Sequence, residues 1–191
     1  MTGQRKYIVA LVALLVVLGT SIQKTQAWSW HSQQNRISGK VINIHDGDTL
    51  TILSPENQQM RVRLAEIDAP EIGRGKANPG QPFGRQAQRY LEEMCPKGSI
   101  AEVETQGRDQ YGRVVGRVWC GGNDANKKMV QAGLAWVYDA YVKDRSLYQD
   151  QAAAQDKRIG LWSDKNPMPP WVWRKAQKEH RDEERENRRP Y

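Results

Sequence analysis

Between Ile37 and Glu66 the chain alternates apolar and polar residues and breaks that alternation only at short turn clusters. Val41, Ile42 and Ile44 lead into Asp46-Gly47-Asp48-Thr49, and Leu50, Ile52 and Leu53 lead out of it. Ser54-Pro55-Glu56-Asn57 turns the chain again before Met60, Val62 and Leu64. Successive side chains of a strand point to opposite faces, so a period of two calls for a half-buried, three-stranded meander and not for helices. The same period sets Arg61 and Arg63 on the face opposite Met60, Val62 and Leu64. One face is core, and the other is available to a charged partner.

A second acidic turn, Asp68-Ala69-Pro70-Glu71, echoes the first. The stretch from Gly73 to Pro82 is rich in Gly and Pro and reads as a mobile surface loop carrying Arg74 and Lys76. Phe83, Ala87, Tyr90, Leu91 and Met94 fall on one helical face, and Pro96 and Gly98 stop that helix. Ile100–Thr105 and Arg113–Cys120 alternate as a hairpin around Asp109-Gln110-Tyr111-Gly112. Gly121-Gly122-Asn123-Asp124 caps a second helix with Met129 and Val130 on its apolar face. A third helix spans roughly Ser146–Ile159, capped by Ser146 or Asp144 and stopped at Gly160. Trp119, Trp136 and Trp162 are expected in the core. From Arg174 onward the chain is nearly all charged and reads as a solvated helix or a frayed tail. Three strands, a helix, two strands and then helices match an α+β chain built on a five-stranded OB-type Greek-key β-barrel with about three helices.

Clustered carboxylates repel one another unless a cation or a proton intervenes. Guanidiniums bind phosphate oxygens bidentately. Acids and arginines gathered at strand ends therefore suggest a metal site facing a phosphate. Asp46-Gly47 alone is a common turn signal, and Asp46 is assigned that structural role.

In these residues the chain resembles the thermonuclease family, the staphylococcal-nuclease-like domains. The motifs are Asp46-Gly47-Asp48-Thr49, Val62-Arg63-Leu64 with Ile67-Asp68-Ala69-Pro70-Glu71, Asp109-Gln110-Tyr111-Gly112-Arg113, and Gly160-Leu161-Trp162. The resemblance covers about residues 37–165. It implies an OB barrel that binds one calcium ion and hydrolyses phosphodiester bonds in DNA and RNA, leaving a 3′-phosphate. Carried over by position, Asp48 and Asp68 are the calcium carboxylates, and the backbone carbonyl of Ala69 is a further ligand. Glu71 matches the carboxylate that handles the attacking water. Arg63 and Arg113 match the two phosphate-binding arginines. Gln110 stands where a lysine occurs in the family. Tyr111, Tyr138 and Tyr141 are nucleotide contacts. The rivals are a non-catalytic OB module that binds nucleic acid and an anchored envelope protein with structural calcium. The intact acids and arginines weigh against both.

The formal charge of +7 is compatible with a nucleic-acid partner but also with an anionic membrane surface. Part of it sits at the start of the chain. Arg5 and Lys6 precede an apolar run from Tyr7 to Leu18, and Thr25-Gln26-Ala27 offers a small-residue exit. Residues 1–27 thus read as a secretory signal peptide, or as an uncleaved anchor if the run extends to Ile22. Residues 28–36 read as a linker, 37–165 as the nuclease domain and 166–191 as a Pro/Trp segment with a charged tail. An exported, periplasmic or secreted monomer without an obligate protein partner is expected, touching a membrane only if the leader is retained. In that setting Cys95 and Cys120 pair as a disulfide, the alternative being two buried thiols. His31, His45 and His180 lack the spacing of a zinc site.

Overall fold

The computed structural model of the chain describes residues 36–73, 75 and 79–188. The expected leader, the linker tryptophans Trp28 and Trp30, and the loop cations Arg74 and Lys76 lie outside the described residues. Strands β1 (Arg36–Ile44), β2 (Thr49–Leu53) and β3 (Gln59–Leu64) form the antiparallel meander. After the two-residue strand β4 (Ile67–Asp68) comes helix α1 (Gly84–Met94). Strand β5 (Ile100–Arg108) then lies beside β1 and pairs with β6 (Val114–Cys120). Parallel pairing of β3 with β6, Val62 opposite Val114 and Leu64 opposite Gly116, closes the five strands into a barrel. Closure removes the open edges that a five-stranded sheet would otherwise expose.

The alternation read in the sequence is the alternation of the barrel wall. Val41, Leu50, Ile52, Val62, Leu64, Val103 and Val118 are fully buried, and Leu91 of α1 and Met129 and Val130 of α2 (Ala125–Gln131) pack against them. At about 25 cal/mol per Å² of apolar surface, this packing is the main driving force for closure. Trp119 departs from expectation. The phase of β6 is set by Val114, Val118 and Cys120, which point inward, so Trp119 lies on the outer side beneath the Arg117 guanidinium, 5.9 Å from its ring centre. Trp162 is buried as expected, with half-buried Trp136 edge-on at 4.3 Å.

The remaining elements hold loops in position. β7 (Asn123–Asp124) extends β6, and Asp124 caps α2 by accepting the Lys127 amide. β8 (Trp136–Val137) pairs with β4, so Trp136 lies opposite Asp68. Helix α3 (Ser146–Asp156) begins where Asp144 accepts the Ser146 amide. It ends three residues short of the expected Ile159, because Arg158 and then Gly160 turn left-handed. α1 begins after Phe83, itself left-handed at φ 68° and outside the helix it was expected to start. A fourth helix, α4 (Pro170–Asn187), occupies most of the segment read as a helix or frayed tail. Cys95 and Cys120 are joined in a disulfide, with Cα atoms 5.3 Å apart.

Candidate active site

The two acidic turns meet because Gly47 has no side chain. A Cβ there would come within 2.6 Å of Ala87 on α1 and 2.8 Å of Ala69. Without one, the β1–β2 turn nests between helix and second turn, and the Asp48 carboxylate reaches the other turn's backbone. Asp46 Oδ1 accepts the Asp48 amide at 3.0 Å, the self-bracing turn expected of Asp-Gly. Asp48 Oδ1 accepts the Thr49 hydroxyl, and Oδ2 accepts the Ala69 amide at 2.8 Å.

Arg63 projects from the outer face of β3 between these acids. Its Nη1 lies 2.8 Å from Asp48 Oδ2 and its Nη2 2.8 Å from Asp68 Oδ1. It also donates to the carbonyls of Ile67 and Leu64. Burial would lower its pKa, but Asp48 and Asp68 outweigh that and hold it charged. The carboxylates feel the opposite balance. Burial and the neighbouring Asp48 push the Asp46 carboxyl up to about 7. Asp68 is also raised, chiefly by burial and by Asp48, against hydrogen bonds from Arg174 and attraction to Arg63. Three acids this close are short of positive charge.

Part of that charge comes from a residue the sequence did not single out. Arg174, on the first turns of α4, donates from Nη2 to Asp68 Oδ2 at 2.7 Å and from Nη1 to Asp68 Oδ1 at 3.1 Å. Its Nη1 also reaches Glu71 Oε1 at 2.7 Å. Burial works against its charge, but the Asp68 and Glu71 contacts raise its pKa. The start of α4 is fixed for this contact. Pro170 is buried, Trp171 stacks on Tyr138 at 5.2 Å and meets Trp136 edge-on at 5.9 Å. Gln81 Nε2 donates to the Met168 carbonyl at 2.6 Å. Gln81 also brackets Glu71: its Oε1 accepts the Glu71 amide, and its own amide donates to the Glu71 carbonyl. Gln81 is therefore buried and fastens this end of the Gly/Pro-rich stretch, while Pro79, Gly80 and Pro82 around it are exposed as a surface loop requires.

Arg113 arrives at the start of β6 from the β5–β6 turn. Asp109 shapes the turn, accepting the amides of Tyr111 and Arg113 and the Arg113 Nε at 2.6 Å. That leaves the two Arg113 Nη groups without an acceptor among the described residues. Tyr111 is exposed and lies 5.5 Å below the Arg113 guanidinium. The segment with Tyr138 and Tyr141 is tied down by Glu66. Its backbone is left-handed, its carbonyl accepts the Tyr138 amide, and its carboxylate accepts the Lys143 and Asp144 amides at 2.7 Å.

All these groups line one open cleft of about 880 Å³: Asp46, Asp48, Arg63, Asp68, Ala69, Glu71, Tyr111, Arg113, Tyr138, Tyr141 and Arg174. Gln110 lines it too. Tyr138 has one face already covered by Trp171. Two buried carboxylates bridged by one arginine, a third acid beside them and a second arginine in the same cleft suit an anionic ester. The sequence model described as staphylococcal nuclease homologue matches residues 61–164, more than half of the chain. The chain belongs to the staphylococcal nuclease family. As a member it is a nuclease, a hydrolase of nucleic acids with an α+β OB-like fold. Its similarity extends to a protein named uncharacterized endonuclease from Haemophilus influenzae, 39% identical over 139 residues, 73% of this chain and 74% of the relative. It is 37% identical over 180 residues to a micrococcal nuclease of Shigella flexneri, covering 88% of this chain and 96% of that one. Protein ParB of Escherichia coli is 32% identical over 185 residues, 91% and 96% of the two chains.

Proposed function

We propose that the cleft is a calcium-dependent phosphodiesterase centre that cleaves DNA and RNA alike and leaves 3′-phosphate ends. The observation that carries this reading is the sharing of one cleft by Asp48, Asp68, Glu71 and Arg113, with Arg63 between two of the acids. The donor set fits a hard divalent cation. It is made of oxygen only, two of its carboxylates are buried, and burial first, then the neighbouring Asp48, raises the pKa values of Asp46 and Asp68. Asp48, Asp68 and the Ala69 carbonyl are the residues that would hold it. Calcium bound there supplies charge neutralisation at a non-bridging phosphate oxygen. Among the described residues no set of three or more His, Cys, Asp or Glu side chains is arranged to hold an ion, so water and the Ala69 carbonyl would complete the shell.

The chain's own groups do the rest. Arg113, with its Nη groups open to the cleft, takes a second phosphate oxygen in a forked contact and follows the charge that grows in the transition state. Arg63 is held between the acids, so it is prealigned where the phosphate meets them. Glu71 Oε orients a water and accepts its proton as that water attacks phosphorus, the P–O5′ bond breaks, and the departing 5′-oxygen takes a proton from solvent. The Glu71 backbone is pinned by Gln81, and Arg174 Nη1 donates to Glu71 Oε1 at 2.7 Å. Tyr111, Tyr138 and Tyr141 border the site and offer ring surface to bases without reading their edges, which suits a non-specific enzyme.

The basic and apolar pattern of residues 1–27 and a disulfide, which persists in oxidising compartments, support an exported, periplasmic or secreted protein. The assay is incubation of the purified protein with single- and double-stranded DNA and with RNA, in calcium or in chelator. Cleavage of all three only with calcium, ending in 3′-phosphates, is the expected result. Binding without cleavage returns the chain to the non-catalytic alternative.

A further inference from the structure

Charge is not spread evenly around α4. Arg174, Lys178, Arg181, Arg185 and the C-cap Arg188 follow at steps of four, three, four and three. At 3.6 residues per turn they fall within about 80° of one face. Glu179, Asp182, Glu183, Glu184 and Glu186 lie on the remainder of the helix, and Glu184 on the flank of the stripe reaches Arg188 at 3.9 Å. A solvated helix gains by mixing signs at i,i+4, as Lys175 and Glu179 do here at 3.9 Å. Within the stripe Arg181 stands four residues before Arg185, a like-charge step, although Lys178 stands four before Asp182 and Glu184 four before Arg188. Lys178, Arg181 and Arg185 form no ion pair among the described residues. Three cations on one face, none of them in such an ion pair, are open to an external polyanion.

The first member of the stripe is in the cleft. Arg174 touches Asp68 and Glu71, and the aromatic contacts of Trp171 and the Gln81–Met168 hydrogen bond fix the helix at that point. From Arg174 to Arg188 the stripe runs 14 residues, about 21 Å. One strand of a duplex places about six phosphates over that length. We propose that this face of α4 is a track for the polynucleotide backbone, continuous with the catalytic cleft. The proposal rests on the nuclease reading and adds a binding surface to it. The track meets phosphates and no bases, so it favours long chains over short ones without adding sequence preference.

The test measures binding by the full-length protein in chelator, where no cleavage intervenes. Fluorescence anisotropy of a labelled single-stranded 30-mer is followed against salt for the wild type and for K178Q/R181Q/R185Q. Glutamine keeps helix propensity close to that of lysine and arginine. Each lost phosphate contact lowers the salt slope by about 0.7 for a single strand, so the slope should fall by about 2. A control, K157Q/K165Q/K175Q, removes equal charge off the stripe and should keep the wild-type slope. An unchanged slope in the stripe variant overturns the proposal. So does an equal fall in the control, which would mark a general charge effect. Loss of binding to phosphatidylglycerol vesicles with the oligonucleotide slope intact also overturns it, in favour of a lipid surface. Wild-type hydrolysis of a small nitrophenyl phosphodiester, too short to reach Lys178, tests the nuclease reading separately.

Discussion

Arg174 lies 106 residues along the chain from Asp68, yet its two Nη groups sit 3.1 and 2.7 Å from the two Oδ atoms of that carboxylate. Asp68 is almost fully buried, and with Arg63 on Oδ1 both of its oxygens are held by guanidiniums. A cation arriving at Asp68 must share or displace the Arg174 contact. Arg174→Gln should therefore destabilise the cation-free protein by about 1 kcal/mol, a figure kept small because Arg174 is half-exposed. Saturating calcium should raise the melting temperature of the variant by more than that of the wild type. An equal or smaller calcium shift in the variant contradicts competition between Arg174 and the ion.

The two cleft arginines divide structural and chemical work differently. Arg63 bridges two buried acids and two carbonyls, whereas among the described residues Arg113 is paired only through Nε to Asp109. Lysine at either position keeps the charge and loses the fork. Both substitutions should lower turnover by about 10²–10³-fold. Only Arg63→Lys should also cost about 3 kcal/mol of stability, measured by urea titration, because it leaves buried carboxylates short of partners. Equal stability losses in the two variants would show that this division is wrong.

Asp46 carries a pH signature. Its carboxyl is pushed up to about 7 from an ordinary 3.8, by burial first and then by Asp48. A folded-state value above the unfolded one means that the stabilising contribution is full below about 4 and lost as pH rises through about 7. Asp46→Asn keeps an oxygen for the Asp48 amide and cannot ionise. Measured in chelator, the variant should match the wild type near pH 4 and become the more stable of the two above pH 7. A stability difference that does not change with pH removes this assignment.

The disulfide closes a loop of 25 residues between the end of α1 and the end of β6. Replacing both cysteines with serine should cost roughly 3–4 kcal/mol on the loop-entropy argument. Neither cysteine lines the cleft. Turnover measured well below the lowered melting point should stay within a few-fold of wild type. A large loss of rate at full folding would mean that the bridge shapes the site.

The barrel was legible because period-two burial is a local signal. Val62 and Leu64 declare the inner face of β3 and thereby place Arg63 outside it. Asp48, Asp68, Glu71 and Arg113 stood at strand ends and turns, where a family motif also marks them. Arg174 carried no such mark. Nothing nearby in sequence separates it from Lys175 or Lys178, and its partners are contributed by distant turns. The only hint was Trp171 with Pro169-Pro170, which seat the helix start. Gln81 was hidden for the same reason, since its neighbours in a Gly/Pro-rich stretch suggested mobility. Trp119 was misread because its size outweighed the phase of its strand. Inward Val118 and Cys120 decide that phase.

In the proposed reaction Glu71, Arg63 and Arg113 act together on a phosphodiester in this cleft. The most direct measurement is single-turnover cleavage of an end-labelled oligonucleotide by the wild type and by Glu71→Gln, at saturating enzyme and calcium. The account predicts cleavage at least about 10²-fold slower in the variant, with oligonucleotide affinity within a few-fold and the fold intact. Cleavage by a well-folded Glu71→Gln protein at a near-wild-type rate would contradict it.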